Sequence, residues 1–200
     1  MKKKLYLTIM TLLLTFNACD EKPNKQNISP LNQNQKSEKI KNIPKEYHYE
    51  FKNLEGQTSI LDIKNDLYNF KNIEQEIVLI NIMSTWCPSC RGQIPHLSKL
   101  QQKFKKNLFV ISMLVHDDIL KKKLNKFIIA QKILYYVSVT QEENLNFTER
   151  ILPRLGLTKE FPMPLTIVFI RGKYFTHYEG MIPEEMIESD IKQLLKKIKK

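Results

Sequence analysis

Apolar and polar positions follow several distinct rhythms along this chain. Residues 5–16 form an almost wholly apolar run behind three lysines, and residues 20–44 carry hardly any apolar periodicity. From residue 47 onward the patterns become those of regular structure. Residues 47–51 alternate, Leu54-Glu55-Gly56-Gln57 reads as a turn, and residues 58–63 return as a second strand, which predicts an N-terminal hairpin. Residues 66–70 are expected to form a short helix. Residues 77–83 are a short, β-branched, apolar run broken only by Asn81, the pattern of a strand covered on both faces. Beyond it, Ile94, Leu97, Leu100, Gln101 and Phe104 recur at three- and four-residue steps, predicting a helix with one apolar face that Pro95 kinks.

The second half alternates in the same way. Residues 108–115 read as a further apolar strand, after which Asp117 is expected to cap a helix with Leu120, Leu124, Phe127 and Ile128 on one face and Lys121, Lys122 and Lys123 outside. Residues 133–139 predict another strand, and residues 145–155 a helix or loop interrupted by Pro153. Residues 165–170 and 174–178 pair through an Arg171-Gly172 turn, and Pro183 opens a last helix with Ile187, Ile191, Leu194, Leu195 and Ile198 inward. Strands alternating with helices and closing on a hairpin and a helix predict an α/β layer sandwich.

Composition changes this picture mainly at the N-terminus. Two hundred residues with 42% hydrophobic content allow one well-buried domain plus extra segments, and no period repeats. Met1-Lys2-Lys3-Lys4 with the apolar run behind it reads as an export signal over residues 1–18, too short to span a bilayer as a helix of about 20 residues. Phe16-Asn17-Ala18-Cys19 resembles a bacterial lipoprotein cleavage site, which implies lipidation of Cys19; an uncleaved anchor is the alternative. Residues 19–44 read as a disordered tether with an end-to-end distance of about 25–30 Å, leaving residues 45–200 for the domain.

The net charge of +11 falls to +8 without residues 1–18, because that segment holds three lysines and no acid. Such a charge favours an anionic leaflet or acidic partner surfaces. Nucleic acid is a poor partner, since the lysine runs at 121–123 and 196–200 lack interleaved aromatics. The chain is expected to act as a monomer outside the cytoplasmic membrane, on its outer face or in the periplasm.

The chemistry lies in Trp86-Cys87-Pro88-Ser89-Cys90, where the central strand runs into its helix. Cys87 at the N-cap and Pro88 at the first helical position suit a helix start. A sulfur there lies among unpaired N–H donors at the positive end of the helix dipole, which favours thiolate. Cys87 is therefore expected to attack, and Cys90, one turn on, to resolve a mixed disulfide. With Cys19 acylated, no other thiol remains for a structural bridge. A zinc site would need four ligands, and beyond this pair the chain offers only Cys19 and the scattered His48, His96, His116 and His177. Trp86 is either a core aromatic or a flat apolar wall for a substrate peptide, and His96 reads as a packed or solvated helix residue.

At these residues the chain resembles the thioredoxin superfamily, and within it the membrane-anchored TlpA/ResA-like thiol:disulfide oxidoreductases, over about residues 47–199. Besides the Cys87/Cys90 turn and Pro95, the resemblance rests on Met163-Pro164-Leu165-Thr166 with the following strand, then Arg171-Gly172-Lys173 and Gly180. It implies a thioredoxin-like layer sandwich, here with the N-terminal hairpin as an extension. It also implies a cis Met163–Pro164 bond facing the disulfide, with Trp86, Met163 and Pro164 contacting substrate. Asn81 stands where cytosolic thioredoxins have a buried aspartate, as is usual in the TlpA-like branch. Gln93 stands where the family often has a glutamate that handles protons, and Ser89 where it usually has proline. Pro88, Ser89, Gln93 and Asn81 are thus the residues expected to tune the thiols.

The resemblance implies a reductase of protein disulfides, with the CxxCH motifs of apocytochromes c as the implied substrates, fed by a membrane thiol transporter. An oxidase or isomerase is the alternative among enzymes. A copper-binding oxidase-assembly lipoprotein is the alternative of another class, disfavoured by CxxC spacing in place of CxxxC. Thiol–disulfide exchange itself requires no cofactor and no metal.

Overall fold

The computed structural model describes residues 46–198. The signal, Cys19 and the tether lie outside the described residues. The central element is β4 (Ile77–Met83), every residue of which is buried. It pairs in parallel with β5 (Leu108–Leu114) and antiparallel with β7 (Leu165–Ile170). With β6 (Tyr136–Ser138) and β8 (Lys173–Glu179) outside them, the five-stranded order is β6-β5-β4-β7-β8. The parallel β4–β5 pair requires a crossover, which α1 (Pro88–Lys103) supplies. Further helices are α2 (Lys121–Ala130), α3 (Gln141–Ile151) and α4 (Glu184–Ile198).

Each face of this sheet has its own cover. On one, Leu97 and Leu100 of α1 and Ile187, Ile191 and Leu194 of α4 pack on Ile77, Leu79, Val110 and Val168. On the other, Val78, Ile80 and Ile82 meet α3 and a small antiparallel sheet, β1 (Glu46–Lys52), β2 (Thr58–Lys64) and β3 (Leu67–Phe70). Phe51 and Phe147 meet edge to face there at 5.9 Å. The small sheet is tied at both ends. Lys52 O accepts from Val139 N at 2.7 Å, and Tyr68 N donates to Gly172 O at 2.7 Å. Gly172 has φ +74°, and a Cβ there would stand 2.6 Å from Tyr68 O, so this close approach requires glycine.

Several expectations need correction. Residues 66–70 are not a helix: Asn65 and Asp66 take φ of +49° and +63°, a turn that sends Leu67–Phe70 back as a third strand of the extension. The alternation of Tyr68 and Phe70, both inward, suits a strand with one covered face. The strand expected at 133–139 shortens to Tyr136–Ser138, and the segment expected at 145–155 as a helix or loop is a helix that begins at Gln141 and ends in a 3-10 turn, Leu152–Leu155, that holds Pro153. Asp117 does not cap α2. That helix starts at Lys121 with Leu120 at the N-cap, and Leu120 is 68% exposed rather than on the inner face.

Candidate active site at the start of the first helix

The site forms where β4 gives way to α1. Cys87 is the N-cap of α1, with φ −78° and ψ 118°, and Pro88 follows within the first helical positions. Its Sγ accepts from Cys90 N at 3.2 Å, so one of the helix's unpaired N–H groups already points at the sulfur. Cys87 and Cys90 are joined as a disulfide with their Cα atoms 5.2 Å apart. Exposure separates the two sulfurs' residues: Cys87 is 5% exposed and Cys90 is 0%. An incoming group therefore meets Cys87 first.

Across the turn lies the β7 entry. The Met163–Pro164 bond is cis, as expected, and the loop is held because Gly180 N donates to Pro164 O at 2.8 Å. Met163 O stands 3.9 Å from Cys87 Sγ and accepts from Ser89 Oγ at 2.9 Å. Ser89 Oγ is also 3.3 Å from Cys87 Sγ. The serine hydroxyl thus sits between a carbonyl and the outer sulfur, a geometry proline in its place would lack. Trp86 is 55% exposed, which removes the reading as a core aromatic, and its Nε1 donates to His116 O at 2.9 Å.

Deeper, Gln93 and Asn81 are both fully buried. Gln93 Oε1 accepts from Ile182 N at 2.7 Å, tying α1 to the loop before α4, while Nε2 has no partner among the described residues. Asn81 is matched in register by Ser112 on β5 and Thr166 on β7. Its Nδ2 donates to Ser112 Oγ at 2.9 Å and its Oδ1 accepts from Thr166 Oγ1 at 3.3 Å. A polar row across three strands thereby satisfies an amide that burial would otherwise penalise. His96, three residues beyond Gln93 along α1, has its Nδ1 3.7 Å from Glu184 Oε2.

One contributor escaped sequence reasoning. Asp117, in the loop after β5, is buried and accepts from both Thr85 N and Thr85 Oγ1, the latter at 3.0 Å. The local pattern of an acid ahead of an apolar-periodic segment reads as a cap, and nothing in it shows the contact 32 positions back.

The arrangement can hold one substrate sulfur on Cys87 and resolve it with Cys90. Among the described residues, no group of three or more His, Cys, Asp or Glu side chains is disposed to hold a metal ion, and no helix is long and apolar enough to cross a membrane.

Comparison with known proteins agrees with this geometry. The sequence profile of the Redoxin family matches residues 56–195. No curated protein matches the chain. Solved structures similar to it include a thioredoxin-family thiol:disulfide interchange protein from Chlorobium tepidum TLS, at 16% identity and TM-score 0.58 over 74% of this chain and 93% of that one. A candidate thiol:disulfide interchange protein DsbE from Chlorobium tepidum has 20% identity and TM-score 0.54 over 74% and 94%. A thiol:disulfide interchange protein from Bacteroides sp. has 17% identity and TM-score 0.51 over 72% and 85%. At these identities the likeness is one of fold.

Proposed function

The chain belongs to the Redoxin family and is a thiol:disulfide oxidoreductase with a Cys87/Cys90 pair, and from that premise we propose that it works as a reductase of protein disulfides on the outer side of a membrane. The observation that carries this reading is the placement of Cys87, the less buried of the pair, at a helix start beside a fully buried Cys90. In the forward direction the Cys87 thiolate attacks one sulfur of a substrate disulfide. A Cys87–substrate bond forms and the other substrate sulfur leaves as a thiolate, which takes a proton from solvent. The Cys90 thiolate then attacks Cys87 Sγ. The Cys87–Cys90 bond forms, the mixed disulfide breaks, and the second substrate sulfur leaves, so that two electrons have passed from the protein to its substrate. A dithiol donor must restore the pair by the same steps in reverse.

Burial of Cys90 supports the reducing direction, because it disfavours the thiolate, and a less stable reduced form makes a stronger reductant. A hydroxyl 3.3 Å from Cys87 Sγ favours thiolate instead, and supports an oxidase as the second reading. The substrates proposed are exported proteins with paired cysteines, including CxxCH motifs before haem attachment, with Cys19 carrying the lipid anchor and a membrane dithiol carrier as donor. Equilibration of the full chain in detergent with graded thiol buffers tests direction. A potential near the −270 mV of thioredoxin is expected, and one near the roughly −120 mV of DsbA would make the protein an oxidase.

A further inference from the structure

The three residues ahead of the nucleophile are each held by the loop that follows β5. Ser84 Oγ donates to Val115 O, Thr85 donates its N–H and its hydroxyl to the two oxygens of Asp117, and Trp86 Nε1 donates to His116 O. Cys87 N then donates to Ser84 O at 3.2 Å, so the nucleophile's own backbone hangs on this clamp. Asp117 is 3% exposed, and its main chain is fixed in turn by Gln141, whose Oε1 accepts from Asp117 N at 3.3 Å and whose Nε2 donates to Asp117 O. His116 takes φ +50°, a conformation uncommon outside glycine, and in it presents its carbonyl to Trp86.

The charges around Thr85 are equally specific. Arg91 Nε donates to Thr85 O at 2.7 Å, so the main chain of Thr85 lies between a guanidinium on α1 and the buried carboxylate of Asp117. Among the described residues Asp117 forms no ion pair, and both its oxygens accept hydrogen bonds, which is how an ionised carboxylate is satisfied. Its negative charge therefore opposes that of Arg91 beside a turn whose sulfurs change charge when reduced.

We propose that Asp117 is a positioning residue for the redox turn: it fixes Thr85 and Trp86 ahead of Cys87 and offsets Arg91, keeping the dithiol more reducing than the helix start alone would make it. The inference rests on the reading of Cys87 and Cys90 as the redox centre. Cys87 lies two positions beyond Thr85, at most about 7 Å of chain. A unit charge roughly 10 Å from the sulfurs, in an effective dielectric of about 20, is enough to change the dithiol–disulfide equilibrium about tenfold.

The test measures that equilibrium for the full chain in detergent against glutathione buffers at fixed pH, together with the emission of Trp86, the only tryptophan. Asp117→Asn is expected to shift the equilibrium about tenfold toward the dithiol, equivalent to a potential about 30 mV less negative. Emission is expected to move to longer wavelength as the indole loosens. Arg91→Gln, which leaves Asp117 in place, is expected to shift the equilibrium the other way. A folded Asp117→Asn protein with either readout unchanged overturns the proposal. If that variant does not fold, Arg91→Gln decides: no shift, or a shift toward the dithiol, overturns it. Wild-type protein that never equilibrates with thiol buffers removes the redox reading and this inference together, whereas an active wild type with unchanged variants removes only the inference.

Discussion

Replacing Gln93 by glutamate puts one charge on a buried side chain that has one polar atom without a partner among the described residues. Because Ile182 N is a donor, Gln93 must turn Oε1 toward it, so the unpartnered atom is Nε2 and not the oxygen. In Gln93→Glu one carboxyl oxygen keeps the Ile182 bond and the other occupies the unpartnered place. Full burial disfavours ionisation and raises the pKa of the introduced carboxyl above the unfolded value of about 4.3. A raised folded-state value means that the variant matches wild type in stability below about pH 4 and loses stability as pH rises toward the folded value. At about 1.4 kcal/mol per unit, a rise of 2–3 units costs about 3–4 kcal/mol by pH 8. Once ionised, the carboxylate lies three residues from Cys90 on one helix, a Cβ spacing of about 5–6 Å. At roughly 7 Å and an effective dielectric of about 20, like-charge repulsion is about 2 kcal/mol, so the Cys90 thiol should titrate one to two units higher. Urea unfolding at pH 4 to 8 reports the carboxyl, and alkylation rate against pH in a Cys87→Ser background reports Cys90. A variant destabilised at pH 8 whose Cys90 profile matches that of Gln93 would refute the reasoning, because an ionised group would then be present without acting on the sulfur. A flat stability profile would refute the desolvation on which it rests.

Three further outcomes are expected. Ser89→Ala, which removes the hydroxyl 3.3 Å from Cys87 Sγ, should raise the midpoint of Cys87 alkylation by about one unit, since hydrogen bonds to charged groups are worth about 1.5–3 kcal/mol and this one is shared with Met163 O; an unchanged midpoint would mean the hydroxyl stays on the carbonyl. Asn144 donates to Leu114 O and Ser138 O at 2.9 and 3.1 Å and accepts from Ser138 Oγ at 2.6 Å, so Asn144→Leu strands several buried polar groups and should cost at least about 3 kcal/mol in urea unfolding, where a loss below 1 would contradict it. Burial pushes the Tyr68 phenol up to about 12, so its contribution to stability is complete below its unfolded value of about 10 and is lost as pH rises toward 12; Tyr68→Phe should therefore lessen the fall in stability between pH 10 and 11.5, and identical slopes in both proteins would exclude this.

Local chemistry explains why so much of the site was legible. A continuous apolar strand, a cysteine at the N-cap and proline at the first helical turn are all decided within about 15 residues, and so are the amphipathic faces of α1 and α4 and the hairpin through Arg171-Gly172. The TlpA/ResA-like resemblance added the cis Met163–Pro164 bond, which spacing alone does not indicate. Where local signals compete, the reading failed. Asn65-Asp66 can start a helix or turn a chain, and only the inward partners of Tyr68 and Phe70, on Phe169 at 4.6 and 6.0 Å, select the strand.

Asp117 marks the boundary between what the sequence determined by itself and what tertiary structure decided. An acidic side chain after a strand has two ways to satisfy its oxygens: the free N–H groups of a following helix, or donors brought from elsewhere. The sequence states that an acid is there and that a helix follows. Which donors it takes depends on β4 and β5 lying side by side, in register from Ile77 with Leu108 to Met83 with Leu114, so that the loops leaving their ends meet. The same pairing sets Asn81 against Ser112, and the antiparallel return of β7 sets Thr166 on its other side. The chain therefore specifies through short-range periodicity and sterics which elements form and which atoms react. The environment that tunes those atoms comes from residues 31 to 85 positions away, because burial compels each polar group to find a partner and only the assembled sheet brings one within reach.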